Sequence, residues 1–195
     1  MRLMGTRILI VQGHPDPAGG HFCHALADAY ADGAEAAGHQ VRRIDVATLD
    51  FPILRSKAAF DEGEIPDAIR ESQQAIEWAG HVVLLYPLWL GTLPALLKAW
   101  LEQVLRPGFA FELGDLSWKS RLKGRSARVI VTMGMPAFAY RWFFFAHGLK
   151  NLERNILKFV GFGPVRDTLI GGVEKLGDEA ETWLSKVREL GRRAA

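Results

Sequence analysis

Three stretches of this sequence combine glycine, histidine and aromatic residues in patterns suited to binding a small phosphorylated molecule. The first stretch, Gly13 to His21, is rich in glycine and proline and leads into a helical pattern. A helix N-terminus with exposed amide groups attracts phosphate. Gly19 and Gly20 let the backbone approach such a group closely, and His14 and His21 could each add a donor or a positive charge. The alternative interpretation is a plain connecting loop.

The other two stretches are more apolar. Pro87 to Leu93 contains leucines and Trp89, which suit contact with a flat ring, although Trp89 could equally belong to the core or to a dimer contact. Met133 to Tyr140 follows a predicted strand and is rich in small and apolar residues. Tyr140 and His147 are its polar candidates for chemistry. Taken alone, His147 could also be a histidine at a helix end with no chemical role.

Several common active sites are excluded by spacing. The sequence has no phosphate-loop lysine motif, no dinucleotide-binding glycine fingerprint after its first strand and no nucleophile elbow. His14, His21 and His24 lack a carboxylate or cysteine set that would complete a metal site, so no bound metal is expected. Cys23 is the single cysteine, which rules out an intramolecular disulfide, and no nucleophile signature surrounds it.

Composition places the chain among ordinary globular proteins. With 195 residues, 49% hydrophobic and 24% charged, residues 1–195 are expected to form one domain. The net charge of +2 and the absence of a long Lys/Arg block argue against a nucleic-acid partner and against an acidic electron carrier. No signal peptide or apolar run of about 18 residues is visible, and we therefore expect a cytoplasmic protein.

Alternating strands and helices must position the three loops. The strands are predicted at 7–11, 40–46, 82–86, 128–132 and 164–171, and the helices at 22–37, 66–79, 94–105, 151–160 and 178–190, with an irregular connection over 50–65. Thr92 is a candidate N-cap for the third helix. Such alternation predicts a three-layer α/β fold in which helices cover both faces of a parallel sheet. Five strands favour the flavodoxin-like order 2-1-3-4-5, in which the loops after strands one, three and four converge.

Longer motifs add a family resemblance. Tyr86-Pro-Leu-Trp, then Leu93-Pro-Ala-Leu-Leu-Lys-Ala-Trp100, then Arg106-Pro-Gly-Phe-Ala-Phe111 resemble the flavodoxin-like NAD(P)H:quinone oxidoreductases. This group includes DT-diaphorase, the bacterial modulator-of-drug-activity quinone reductases and the ancillary flavoproteins of potassium-efflux systems. Gly13-His14-Pro15, and Thr132-x-Gly134 with a tyrosine six residues later, fit the same pattern. The resemblance covers at least residues 8–171.

The resemblance implies a flavin cofactor, FAD or alternatively FMN, with NAD(P)H as co-substrate. NAD(P)H would pass hydride to the flavin N5 and leave, and a quinone-like acceptor would then take both electrons from the same pocket. By this resemblance, the flavin phosphates lie at His14, His21, Phe22 and Cys23, the ring lies at Pro87, Leu88, Trp89 and Leu90, and the second wall is Thr132, Gly134 and Tyr140.

Catalytic roles and departures also follow from the resemblance. Tyr140 and His147 are the nearest matches to a tyrosine and a histidine thought to stabilise charge on the reduced flavin. His147, however, is one residue out of the family spacing. His21 stands where relatives often have serine, and Leu90 replaces an aromatic residue.

The resemblance further implies a homodimer, and an exposed apolar run would serve as its contact. The candidate contact residues are Phe109, Phe111, Trp118 and Phe143-Phe144-Phe145. Two rival functions remain open: a flavin-bound regulatory subunit of a membrane transporter, which would add a peripheral membrane partner, and a one-electron flavodoxin carrier.

Overall fold

A parallel sheet forms the centre of the protein in the computed structural model, which describes residues 5–114 and 117–195. Its five strands within those ranges are β1 (Arg7–Gln12), β2 (Gln40–Asp45), β3 (His81–Pro87), β6 (Ser126–Thr132) and β7 (Val165–Ile170). They lie in the order β2-β1-β3-β6-β7, and every neighbouring pair is parallel. Counted along the chain, this is the predicted order 2-1-3-4-5, which confirms the fold class.

Helices cover both faces of this sheet. They are α1 (Phe22–Ala36), α2 (Lys57–Glu62), α3 (Asp67–Trp78), α4 (Ala95–Val104), α5 (His147–Asn151), α6 (Lys158–Val160) and α7 (Glu179–Arg192). Strand residues alternate between two apolar layers: Ile8 and Ile10 pack with α1 and α7, whereas Leu9 and Val11 pack with the other helices. Central strands that are buried on both faces explain the near-continuous apolar runs of the sequence.

The helices α1 and α7 cross with their backbones in contact. A Cβ atom added at Gly33 would lie 1.9 Å from the Arg188 carbonyl oxygen, and one at Gly191 would lie 2.1 Å from the Tyr30 carbonyl oxygen. Only glycine allows this approach. The sequence patterns did not single out either residue.

The structure corrects several predicted elements. A short antiparallel hairpin, β4 (Phe111–Leu113) with β5 (Trp118–Ser120), precedes β6, and α2 lies inside the segment that was expected to be irregular. The N-cap of α4 is Pro94, so the prediction of Thr92 as its cap was wrong. Thr92 is instead paired with Trp89 in a tight turn.

The third loop is also more ordered than predicted. It ends in a π-helical turn, Ala139–Phe143, where a fully irregular loop was expected. The following helical segment begins at His147 rather than at Asn151, and it contains a second π-helical stretch, Leu152–Leu157, before α6. Among residues 5–114 and 117–195, every helix falls short of the length and apolar character that crossing a bilayer would require.

Candidate functional site

The three predicted loops meet at the carboxyl ends of β1, β3 and β6. The Leu88 amide donates a hydrogen bond to the Thr132 carbonyl oxygen at 2.7 Å, which ties the second loop to the end of β6. The His14 ring lies edge-on to the Trp89 ring, with 6.5 Å between centroids. The Tyr140 hydroxyl donates to the Gly91 carbonyl oxygen at 3.2 Å. Residues far apart in the chain therefore form one site, as the strand order requires.

The side chain of Gln12 holds the first loop against α1. Its Oε1 atom accepts from the His14 amide at 3.0 Å and from the Cys23 thiol at 3.3 Å, and its Nε2 atom donates to the Cys23 carbonyl oxygen at 3.0 Å. Sequence reasoning missed Gln12, although a polar residue at the end of a buried strand is a usable signal. Burial raises the pKa of the Cys23 thiol to about 12, so Cys23 is not a nucleophile at neutral pH.

Two imidazoles stack in the first loop. The rings of His14 and His21 lie 3.9 Å apart at 17°, and the His24 ring lies 5.1 Å from that of His14. His14 is only 8% exposed, and burial, followed by the neighbouring His21 and His24, lowers its pKa. His21 hydrogen-bonds Asp16 at 2.8 Å, and this contact lowers the pKa of the carboxyl group. His14 is therefore a neutral imidazole at pH 7, available for hydrogen bonding rather than as a fixed cation.

A candidate anion cradle lies beside these histidines. Gly19 and Gly20 have φ values of +73° and +76°, and open space surrounds the positions where their Cβ atoms would lie. No side chain caps α1. In the part of the chain that the structure describes, the amides of Phe22 and Cys23 donate to no protein group. Free amides at a helix start are groups of the kind that bind phosphate, so this segment is a candidate phosphate site.

The second loop is a tight hairpin turn. The Trp89 amide donates to the Thr92 carbonyl oxygen at 2.9 Å, and the Thr92 amide donates back to the Trp89 carbonyl oxygen at 3.0 Å. Leu90 and Gly91 between them have φ values of +47° and +80°, as in a type I′ turn. A leucine in this conformation costs about 1 kcal/mol. Strain of this kind clusters at functional sites.

This turn determines which backbone amides a ligand could use. The amides of Leu88 and Trp89 already donate hydrogen bonds within the protein, so they cannot also donate to a bound ring. Those of Leu90 and Gly91 donate to no group within residues 5–114 and 117–195. The Leu90 side chain is fully exposed and that of Trp89 is 52% exposed. The turn therefore offers two amides and two apolar side chains to a ligand.

The third loop is anchored by Tyr140. Its side chain is 1% exposed, and its hydroxyl accepts a hydrogen bond from the Leu149 amide at 3.1 Å in addition to the bond that it donates to Gly91. Burial raises the pKa of Tyr140, which keeps the phenol protonated. Thr132 is also buried, whereas Gly134 is exposed and lies near the Glu174 carboxylate.

His147 lies beside the same turn in spite of its unusual spacing. A Cβ atom at the next residue, Gly148, would lie 2.2 Å from the Gly91 carbonyl oxygen, so the first turn of α5 rests directly on the hairpin turn. A π-helical turn, Ala139–Phe143, precedes His147, and Phe145 and Ala146 between them have φ values of +55° and +47°. The His147 side chain is exposed. Its catalytic role, like that of Tyr140, stays a prediction.

An exposed aromatic run flanks the site. The side chains of Trp142, Phe143, Phe144 and Phe145 are between 50% and 76% exposed. On the β4–β5 hairpin, Leu113 and Trp118 are paired and exposed. Phe111 differs from these residues because it is buried against Phe159, and Phe109 packs partly against the core. Of the residues expected at a dimer contact, Phe111 therefore belongs to the core instead.

A cavity of about 430 Å³ adjoins the first loop. It lies between the loop, α1 and the end of β2, and its polar lining includes Gly19, Gly20, His24, Asp28 and Asp45. Asp28 is ion-paired with Arg43, and Asp45 accepts a hydrogen bond from the Ala47 amide. The cavity thus continues the anion cradle toward carboxylates that can accept hydrogen bonds from hydroxyl groups.

Comparisons with known proteins agree with this fold. A family model described as "Flavodoxin-like fold" matches residues 6–193. The chain is 25% identical to NAD(P)H dehydrogenase [quinone] 1 of Rattus norvegicus over 189 residues, covering 84% of this chain and 68% of that protein.

Among solved structures, an NAD(P)H:quinone oxidoreductase from Methanothermobacter marburgensis superposes with a TM-score of 0.83 at 23% identity, covering 98% of this chain and all of that one. An FMN-dependent NADH-azoreductase from Bacillus anthracis, in complex with FMN, gives 0.75 at 17% identity, covering 97% and 99%. At these identities the structural matches bear on the fold alone.

Proposed function

The chain belongs to the flavodoxin-like fold family whose model it matches over residues 6–193, and from this premise we propose that it is a flavin-dependent NAD(P)H:quinone oxidoreductase. The observation that carries the proposal is the meeting of a phosphate cradle and an apolar turn at the ends of neighbouring strands. The similarity to the rat NAD(P)H dehydrogenase [quinone] 1 supports the nicotinamide and quinone substrates. The buried, protonated thiol of Cys23 is consistent with chemistry that needs no protein nucleophile.

The residues present fit a flavin. The amides of Phe22 and Cys23 would hold a phosphate over Gly19 and Gly20, with His14 and His21 beside it.

Leu88, Trp89 and Leu90 would contact the ring, with Pro87, Thr132 and Gly134 at its edges. The apolar groups exclude water from the ring, and the unpaired amides of the turn can stabilise negative charge that develops on it.

The cofactor of this proposal is FAD, with FMN as the alternative. The 430 Å³ cavity favours FAD because the same cavity is lined by Gly19 and Gly20 and by Asp28 and Asp45, whose carboxylates suit the hydroxyl groups of a nucleoside. The Bacillus anthracis structure keeps FMN in consideration, since its fold holds that smaller flavin. A bound flavin supplies the redox chemistry by accepting two electrons from NAD(P)H and delivering them to a quinone. The chain itself binds, orients and shields the reacting groups.

The first experiment identifies the cofactor and the activity. The purified protein is denatured, the released flavin is identified by chromatography, and turnover is measured with NADH or NADPH and a simple benzoquinone. We expect one flavin per chain and rapid two-electron turnover. A colourless protein that neither FAD nor FMN can reconstitute would remove the proposal.

A matched pair of glycine variants tests the phosphate cradle. Gly20 and Gly124 have φ values of +76° and +80°, and neither has an atom within 4 Å of an added Cβ. Gly20→Ala and Gly124→Ala therefore carry the same kind of backbone strain, but only Gly20 lies in the cradle. We expect flavin affinity to fall about tenfold in Gly20→Ala alone, a loss equivalent to about 1.4 kcal/mol. Equal losses in both variants would assign the effect to stability.

Two rival functions give different results in the same assays. A flavin-bound regulatory subunit of a transporter would show bound flavin but little turnover with benzoquinone. A one-electron carrier would be reduced in two well-separated steps during titration. The near-neutral net charge of +2 and the exposed apolar turn favour the reductase over the carrier.

The proposal includes a two-fold homodimer. Trp89, Leu90 and the aromatic run 142–145 are exposed, and a second copy packed on them would cover apolar surface that a monomer leaves in water. Light scattering or gel filtration at micromolar concentration should give a species of twice 21.7 kDa. A single species of 21.7 kDa would contradict the dimer without affecting the proposed chemistry.

A further inference from the structure

The hydroxyl of Tyr140 is fully used inside the protein. It donates to the Gly91 carbonyl oxygen at 3.2 Å and accepts from the Leu149 amide at 3.1 Å. The residue is 1% exposed, and burial raises the pKa of the phenol, so its single proton stays in the bond to Gly91. Tyr140 therefore has no second proton to donate to a ligand in this arrangement.

Gly148 supports the same carbonyl group from the backbone of α5. A Cβ atom there would lie 2.2 Å from the Gly91 carbonyl oxygen and 2.8 Å from the Thr92 Cα atom. The Gly91–Thr92 peptide is consequently fixed by a phenol hydroxyl and by close backbone packing. The turn is closed at its base by the two hydrogen bonds between Trp89 and Thr92.

We infer that Tyr140 is a positioning residue, which acts with Gly148 to fix the Leu90–Gly91 turn so that the two unpaired amides of that turn serve as donors to the reduced flavin. This inference rests on the proposed function. Either the Tyr140 hydroxyl or the backbone amides of the turn could donate hydrogen bonds to the flavin. Because the Tyr140 hydroxyl already donates its proton to Gly91, the amides are favoured. Donors held in place before charge develops stabilise that charge without a reorganisation cost.

Three variants test this role. Tyr140→Phe removes the hydroxyl and keeps the ring. Gly148→Ala pushes on the same carbonyl group through a new methyl group. Tyr86→Phe is the matched control, because Tyr86 is a buried tyrosine just before the loop whose hydroxyl has no hydrogen-bond partner within residues 5–114 and 117–195.

The measurement is the midpoint potential of the bound flavin by dye equilibration, together with the Kd of the oxidised flavin. In Tyr140→Phe and Gly148→Ala we expect the reduced flavin to bind about tenfold more weakly relative to the oxidised form, which lowers a two-electron midpoint potential by about 30 mV. The Kd of the oxidised flavin should change less than about twofold. Tyr86→Phe should keep the wild-type potential, and the pH dependence of the potential should keep its shape in Tyr140→Phe.

Three results would overturn the inference. The first is a wild-type midpoint potential in Tyr140→Phe. The second is the loss of a pH-dependent limb of the potential in that variant, which would make Tyr140 a direct proton donor. The third is weaker binding of the oxidised flavin alone. If Gly148→Ala does not fold, Tyr140→Phe decides alone because it adds no atom. A wild-type protein that binds no flavin refutes the proposed function and this inference together, whereas a wild-type potential in Tyr140→Phe refutes the inference alone.

Discussion

Lowering the pH should destabilise this protein through one buried histidine, His81. It begins β3, at the end of the sheet opposite the candidate site, and is 1% exposed. Its Nδ1 atom lies 2.7 Å from the Ser126 hydroxyl, and its Nε2 atom is buried without a partner among the described residues. Burial lowers its pKa to about 4, and the positive charges of Arg128 and Arg166 and the nearby His39 act in the same direction.

The sign and size of the effect follow from that pKa. The folded value of about 4 lies below the ordinary value of 6.5, so the unfolded chain binds a proton more readily. The stabilisation due to the neutral imidazole is present above pH 6.5 and is lost as the pH falls toward 4. A difference of about 2.5 pKa units corresponds to about 3.4 kcal/mol in full, of which about 2 kcal/mol is lost by pH 5.

Urea unfolding of the wild type and of His81→Asn at pH 8, 7, 6 and 5 measures this loss. Asparagine has no titrating group and can still hydrogen-bond Ser126, so carboxylate effects cancel in the difference between the two proteins. The stability advantage of the wild type should be constant from pH 8 to 7 and should shrink by about 2 kcal/mol from pH 7 to 5. A difference that stays constant down to pH 5 would refute the reasoning, because His81 would then titrate as an exposed histidine does.

Three further predictions concern the site and the core. Leu90→Asn should relieve left-handed strain at a fully exposed position and raise Tm by about 2 °C in calorimetry. The same variant should raise the KM for quinone several-fold. An unchanged KM would exclude contact of Leu90 with the acceptor. Gly33→Ala should lower the free energy of unfolding in urea by more than about 3 kcal/mol, because its new methyl group would meet the Arg188 carbonyl oxygen. Gly80→Ala is the control, because an added methyl group there would meet no atom closer than 3.8 Å, and it should not have this effect. Equal effects would contradict the backbone contact. Cys23 should resist a thiol-specific disulfide reagent at pH 8 in the folded protein and react once per chain after unfolding, and rapid reaction of the folded protein would disprove its burial.

The sequence predicted the elements whose signal is local. Apolar runs such as Ile8 to Val11 and the helical spacing of Leu97, Trp100 and Leu101 mark burial within a few residues, and both are buried in the structure. The alternation of these elements also predicted parallel strands, because parallel strands need crossover helices, and the count of five strands favoured the observed order. The hairpin β4–β5 and the helix α2 were missed since three-residue strands and a six-residue helix carry too little periodicity to stand out.

The sequence by itself determined that three loops rich in glycine, histidine and aromatic residues would meet at one edge of a parallel sheet. Only the tertiary structure decided which atoms at that edge remain free to bind. Tyr140 donates to a carbonyl group 49 residues away, and the amides of Leu88 and Trp89 are already paired, so in the second loop the donors left without a partner among the described residues are those of Leu90 and Gly91. The physical reason is that each donor proton makes one good hydrogen bond at a time, and its partner depends on which distant segments pack together rather than on neighbouring residues.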